Sequence, residues 1–376
     1  MTAAVTASDL TRRLAAVLRG DRADLGDVGD AARQAQLLDA SADHAVDGLV
    51  RRALRQRGTW PDVPSPIRSE IDHRVCAAGA AEVLRCRELT RAVSGLRAAG
   101  VEALVLKGAA LAHTLYPAPH LRPSVDIDLL VRTEDRSAAA MALEALGYTR
   151  RNAIARDAVH AQATYERTAG SVGAIDLHWS ISNRPLFAET LTFDELASEA
   201  VPVPGFGGGV RTPGPVHALL LACVHRVAHH GDPDRLIWLY DIKLLAAALS
   251  PEDWRRFASL AARKRIAAVC RHGLAMTAAL LGCGEGASAA IEVLDQLART
   301  QREPSAVYIG GIGGDLRLFA LDLYAARGPR AKADLVASHL FPDARYMRLA
   351  FGATTSPALA AAYIRRAARG LWRLVN

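Results

Sequence analysis

Val125-Asp126-Ile127-Asp128-Leu129-Leu130-Val131 is an apolar, β-rich run interrupted at alternate positions by two carboxylates. Side chains alternate across a strand, so Asp126 and Asp128 point to one face while Val125, Ile127 and Leu129 point to the other. Two carboxylates side by side repel each other, and a hard divalent cation, Mg²⁺ above all, relieves that repulsion. A third carboxylate stands in a second β-rich run, Ile175-Asp176-Leu177-His178-Trp179, in which Asp176 and His178 share a face. Laid beside the first run, this strand brings three carboxylates to one edge, enough for two metal ions ~3.5–4 Å apart. An isolated Asp-x-Asp is more often a solvated strand end than a metal site, so its surroundings carry the weight.

Immediately upstream, Leu104-Val105-Leu106-Lys107-Gly108 is a short strand ending in lysine and glycine before a helical segment, Ala109 to Tyr116. Gly108 admits close approach of a ligand to the backbone, the N–H groups that follow lie at a positive helix end, and Lys107 can pair with a phosphate. The chain holds only four lysines, Lys107, Lys243, Lys264 and Lys332, among 46 cations, which gives Lys107 added weight. Arg122, in the Pro-rich loop before the acidic pair, is a candidate second phosphate clamp.

Further out, the region from Ser8 to about Ala99 has helical apolar spacing, with Leu10, Leu14, Val17 and Leu18 and later Val83, Leu84, Leu89, Val93 and Leu96 as its apolar face. Ser65-Pro66 reads as cap and first turn of a long helix. Thr133 caps a helix over 138–146, Gln162 to Thr168 and Val172 to Trp179 are strands around a turn at Gly170, and Pro202 to Gly214 is a loop or hairpin tip. Helical period returns from Pro215 to the end. The expectation is an α+β protein: an N-terminal helical region (1–99), a small α/β core with a mixed sheet (100–212) and a C-terminal helical domain (213–376).

The 376 residues are 51% hydrophobic and 23% charged, a globular profile that excludes disordered and fibrous classes. No apolar stretch approaches the ~20 residues that cross a bilayer, and the N-terminus lacks a secretory pattern, so a cytoplasmic protein is expected. Five scattered cysteines without a CxxC pair read as reduced, mostly buried thiols. The net charge of +7 is unevenly spread: residues 328–376 carry 8 cations and 2 anions, whereas residues 100–212 carry 10 and 13. The basic C-terminal helix is expected to pack on the body, with membrane-surface contact the less favoured reading. His225 and His229 lie one helical turn apart on a helix that ends at His230, but Arg226 stands where an HExxH zinc motif has glutamate, so helix-end polar contacts, or else a pocket wall, are the better readings. The clusters at 207–209 and 310–314 match no nucleotide-binding glycine pattern and read as loops.

The series Leu106-Lys107-Gly108-Ala109-Ala110-Leu111, Tyr116, Arg122-Pro123, Asp126-Ile127-Asp128-Leu129-Leu130-Val131 and Ile175-Asp176-Leu177-His178-Trp179 resembles the uncharacterised bacterial nucleotidyltransferases of the polymerase β superfold. The resemblance extends to His225, His230, Leu236-Ile237-Trp238-Leu239-Tyr240-Asp241 and Phe341-Pro342. It implies that Asp126, Asp128 and Asp176 hold divalent metal, two Mg²⁺ ions or Mn²⁺ in their place, and that Lys107 and Gly108 stand where the superfold has a Gly-Ser turn for the triphosphate. Here Ala109 replaces that serine, and 17 residues separate Gly108 from Asp126, a long interval. His178 is placed to contact metal, phosphate or acceptor. The implied reaction is in-line attack by an acceptor group on the α-phosphorus of a nucleoside triphosphate, with a small molecule or peptide as acceptor in a biosynthetic pathway. The acidic core disfavours nucleic acid as partner. Two alternatives are a non-catalytic nucleotide- or partner-binding module and an antitoxin-like or nucleic-acid-modifying member of the superfold.

Overall fold

The computed structural model describes residues 9–21, 25, 30–151, 161–167, 173–311, 315–341, 344–352 and 355–375. Expectations for the turn at Gly170, the outer ends of the two strands flanking it, Ile312 to Gly314 and Pro342 lie outside these residues.

Four helices come first: α1 (Asp9–Arg19), α2 (Ala31–Asp43), α3 (Asp47–Gln56) and the 34-residue α4 (Ser65–Ala98). The sheet region follows, with β1 (Leu104–Leu106), α5 (Lys107–Thr114), β2 (Asp126–Leu130), α6 (Arg136–Ala145), β3 (Thr149–Arg150), β4 (Gln162–Glu166), β5 (Ala174–His178), α7 (Pro185–Ala188), α8 (Phe193–Ser198), β6 (Val201–Pro202) and β7 (Arg211–Thr212). The rest is helical: α9 (Pro215–His230), α10 (Leu236–Ala248), α11 (Pro251–Arg263), α12 (Ala267–Leu281), α13 (Glu285–Gln301), α14 (Asp315–Ala325), α15 (Gly328–Leu340), α16 (Ala344–Phe351) and α17 (Ser356–Val375). The protein is therefore α+β, with one mixed sheet in the order β3-β4-β5-β2-β1-β7-β6.

Strand alternation divides the interior. Val105, Ile127, Leu129, Ile175, Leu177, Ala163 and Tyr165 all point to one face and meet α6 and the C-terminal half of α4, through Leu89, Val93 and Leu96. Leu104, Leu106 and Leu130 point to the opposite face, into a second apolar core that joins α1–α3 and the first half of α4 to α9–α13. Each of these buried aliphatic side chains contributes roughly 1.5–3 kcal/mol relative to exposure. The acidic positions of β2 and β5 fall on this second face, the side on which α1–α3 and α9–α13 pack.

Helix α4 crosses both cores. Ile67, Ile71 and Val75 face one, and Leu89, Val93 and Leu96 the other. Between them the same stripe carries Glu82, Arg85 and Glu88, all buried, whereas Val83 and Leu84 are exposed. The helical period read from the sequence holds, but its central apolar residues lie on the solvent side because charged residues occupy the inward positions.

Thr133 does not cap α6. The helix starts at Arg136 after Asp135, and the Thr133 hydroxyl instead donates to the Trp179 carbonyl at 3.2 Å, tying the end of β2 to that of β5. Ser65 is the first residue of α4 rather than its cap, which falls on Pro64. All five cysteines are free. Only Cys223 and Cys270 are buried, and Cys76 is exposed because its neighbour Val75 takes the inward position on α4. Helix α17 packs against α16 around Met347 and Ala362. Among the described residues no helix is long and apolar enough to cross a membrane.

Candidate active site

β2 runs parallel to β5 with Asp128 directly opposite Asp176, and β1 runs antiparallel to β2 with Leu106 opposite Asp128. Since residues directly opposite share a face, the three carboxylates and His178 come to one side of the sheet, and Lys107, in the turn that follows β1, reaches Asp128 there. Asp128, Asp176 and His178 place a donor atom each within 4.8 Å of one another. Asp126 lies one pleat along the same strand face.

Asp128 is the hub. Its Oδ1 accepts from Lys107 Nζ at 2.7 Å and from His178 Nε2 at 2.7 Å. Burial works to raise its pKa, but the Lys107 ammonium and the His178 hydrogen bond outweigh it and hold the carboxyl far below the usual range. Asp126 moves the other way. Burial first, then the charges of Asp128 and Asp176, raise its pKa, against the opposing pull of Lys107 and the Ser124 hydroxyl. Hard oxygen donors crowded on one face fit a divalent cation.

Lys107 reaches this position through backbone strain. Its φ of +53° lies in the left-handed region, which a side chain with a Cβ rarely occupies and which clusters at functional sites. Gly108 is required for a different reason. A Cβ there would stand 3.0 Å from Arg122 Nη1 and 3.1 Å from Ser124 Oγ, so the loop before β2 closes directly over the start of α5.

Arg122 is engaged within the protein by all three guanidinium nitrogens. Its Nε and Nη2 donate to the Asp241 carboxylate, at 2.9 and 2.7 Å, and its Nη1 donates to the Pro123 carbonyl at 3.0 Å. Tyr116 donates its hydroxyl to the same carboxylate at 2.7 Å. Burial, reinforced by Asp241, raises the Tyr116 phenol well above its usual pKa and keeps it a donor. A buried guanidinium needs such a partner, which explains the engagement of all three nitrogens.

Sequence reasoning passed over three residues. Thr164 donates to Asp176 Oδ1 at 2.6 Å, Gln162 reaches Asp176 Oδ2 at 3.4 Å, and Ser124 donates to Asp126 Oδ1 at 3.1 Å. The signal for the first two was the polar alternation Gln162, Thr164, Glu166 against Ala163 and Tyr165. For Ser124 no local pattern exists.

Beside Lys107 a cavity of about 40 Å³, room for a water-sized group, is lined by Arg122, Thr212, His225, Trp238 and Asp241 among others. The His225 ring meets the edge of Trp238 at 5.5 Å and lies 5.2 Å from the ring of His229. His230 ends α9, and its side chain lies outside the described set. Three larger cavities, of about 440, 580 and 650 Å³, are lined by other residues and include none of Asp126, Asp128 and Asp176. The site is located by its chemistry, not by volume.

A family profile described as "Uncharacterised nucleotidyltransferase" matches residues 30–282, more than half of the chain. The matched stretch contains every residue of the carboxylate site. No curated protein matches the chain.

Proposed function

Because this chain belongs to that family of uncharacterised nucleotidyltransferases and is therefore a transferase, we propose that it moves a nucleoside monophosphate from a nucleoside triphosphate to a small-molecule or peptide acceptor in a cytoplasmic biosynthetic reaction. The observation that carries the reading is the register of β2 and β5, which sets Asp128 opposite Asp176 with Asp126 on the same face. Asp126, Asp128 and Asp176 are the proposed holders of divalent metal, Mg²⁺ by preference. When bound, such ions lower the pKa of an attacking group and neutralise charge on a leaving pyrophosphate.

The remaining work falls to the side chains. The Lys107 ammonium, now on Asp128, is placed to pass to a phosphate oxygen once the carboxylates have another counter-charge. The strained backbone at Lys107 turns its ammonium toward the carboxylate face, and the bare Cα of Gly108 lets the Arg122–Ser124 loop close over the start of α5 and hold that turn in place. His178, held by Asp128, orients that carboxylate from below. Thr164 does the same for Asp176. The acceptor oxygen or nitrogen attacks the α-phosphorus, its proton leaves to solvent or a neighbouring base, and the bond to pyrophosphate breaks in line. Arg122 enters as a positioning residue, since it locks the loop preceding β2 onto α10. The cavity beside Lys107, with His225, Trp238 and Asp241, marks the side from which the acceptor is expected.

The test is to incubate the purified protein with each of the four nucleoside triphosphates, Mg²⁺ and cell extract, and to follow pyrophosphate release. Release with one or more triphosphates, lost in Asp126→Ala and Asp128→Ala proteins that keep their circular dichroism, is expected. Equal release by wild type and Asp126→Ala would overturn the assignment. No release with any triphosphate, in a protein that calorimetry shows to bind metal, would favour a binding module instead.

A further inference from the structure

The buried charged segment of α4 meets the last turn of α5. Glu82 and Cys86 are one turn apart on α4 and share a face, and His113 projects toward them from α5. Cys86 Sγ lies 3.5 Å from His113 Nε2 and 3.5 Å from Glu82 Oε1, and His113 Nε2 lies 2.8 Å from Glu82 Oε1. Thus a sulfur, an imidazole nitrogen and a carboxylate oxygen converge on one point. Zinc–ligand bonds of ~2.0–2.3 Å in a tetrahedron put neighbouring donors roughly 3.3–3.6 Å apart. The two sulfur distances fall within that range, and the third needs to open by only a few tenths of an ångström.

The surroundings are those of a held ligand set. Arg85 binds the other carboxylate oxygen of Glu82 and also donates to the Ser124 carbonyl, fixing Glu82 from behind as outer partners of metal ligands do. The His113 ring meets the edge of Phe206 at 5.0 Å. Cys86 and His113 both line a surface cavity of about 440 Å³, also bordered by Gly205 and Phe206, which gives an entry path and room for a solvent molecule as fourth ligand. A charged stripe on the inward face of a long helix is costly unless it is paired or binds an ion. The donor set is thiolate, imidazole and carboxylate, which selects a borderline-soft ion and not Mg²⁺.

We propose that Glu82, Cys86 and His113 form a second metal site, for a zinc-class divalent cation, separate from the oxygen-donor site on β2 and β5. Binding displaces the Cys86 thiol proton and the proton His113 Nε2 shares with Glu82; both leave to solvent or, for the imidazole, move to Nδ1. The ion clamps α4 to the helix that begins at Lys107. Through Arg85, the Ser124 carbonyl and the Ser124 hydroxyl on Asp126, it also braces the entry to β2.

The full-length protein, stripped with a chelator and held in excess Mg²⁺, should develop tetrahedral Co²⁺ d–d bands and a thiolate-to-cobalt charge-transfer band that saturate at one equivalent. Zinc should bleach both, and further Mg²⁺ should leave them unchanged. Cys86→Ser should remove the charge-transfer band, His113→Ala should weaken Co²⁺ binding at least tenfold, and Asp126→Ala and Asp176→Ala should keep the full spectrum. The last pair separates this site from the transferase reading, since metal uptake here requires no activity. Absence of the band in wild type, or its survival in Cys86→Ser, overturns the proposal. If Cys86→Ser fails to fold, alkylation of Cys86 in the wild-type protein, read by peptide mass spectrometry, decides: zinc should slow it at least tenfold, and an unchanged rate overturns the site.

Discussion

Arg122 and Asp241, 119 residues apart, are joined by two parallel N–H···O bonds, Nε to Oδ1 at 2.9 Å and Nη2 to Oδ2 at 2.7 Å, in a buried setting between the loop before β2 and helix α10. This pair ties the carboxylate-bearing strand to the helical body.

Breaking the pair from one side leaves a buried guanidinium without its partner. Asp241→Ala is expected to cost ~3–5 kcal/mol, and a double Arg122→Met, Asp241→Leu replacement to recover most of that loss. Urea unfolding of the wild type and the two variants measures it. A double variant no more stable than Asp241→Ala would mean that the pair has no apolar equivalent.

Gly108→Ala should destabilise by ~1–3 kcal/mol, because its Cβ would meet Arg122 Nη1 at 3.0 Å and Ser124 Oγ at 3.1 Å. The arginine head cannot give way while Asp241 holds it. Gly79→Ala on α4, where nothing lies within 4 Å, is the control and should be neutral or stabilising. Equal urea midpoints for the two variants would sink the close-approach argument.

Lys107 combines a strained backbone with a proposed phosphate contact, and two substitutions separate the roles. Lys107→Gly relieves the φ of +53° and should be more stable than Lys107→Ala by ~1 kcal/mol. Both remove the ammonium and should raise KM for the nucleoside triphosphate by ~10–100-fold, the loss of one charge-assisted hydrogen bond. A KM that stays at the wild-type value in both would remove Lys107 from the triphosphate site.

Asp126 has a raised pKa in the folded protein, so its ionised form disfavours folding above that pKa, and the penalty disappears as pH falls below the unfolded-state value of about 4. In metal-free buffer at neutral pH, Asp126→Asn should therefore melt at or above the wild-type Tm, with the difference closing in acid. Added Mg²⁺ should raise the wild-type Tm and leave the variant unchanged. Transferase activity of the variant should fall by at least ~10³-fold. A variant less stable than wild type in metal-free buffer would show that the carboxylate is held by contacts and not crowded by charge.

Much of the site was legible in one dimension because strand geometry is periodic. Alternation alone put Asp126 and Asp128 on one face and Asp176 with His178 on another strand's face. The β-rich runs around them were short and bounded by turn residues. What alternation cannot supply is which strands are neighbours, and so the pairing of Asp128 with Asp176, the hydrogen bond from Thr164 and the placement of Lys107 on Asp128 required the folded sheet. Helix α4 shows the same limit from the other direction. Its period was correct, yet Val83 and Leu84 face solvent while Glu82, Arg85 and Glu88 face inward, because the elements packed against it offer partners for charge.

The sequence by itself determined the α+β class, the strand that carries the acidic pair, the lysine–glycine turn and the likeness to nucleotidyltransferases, since each depends on residues close together in the chain. Only the tertiary structure decided that Arg122 belongs to Asp241, that His178 sits under Asp128, that α1–α3 share a core with α9–α13, and that Glu82 and Cys86 meet His113. Those relations join residues tens to more than a hundred positions apart. The energy of a buried charge depends on the partner that packing delivers, and no local pattern encodes that partner.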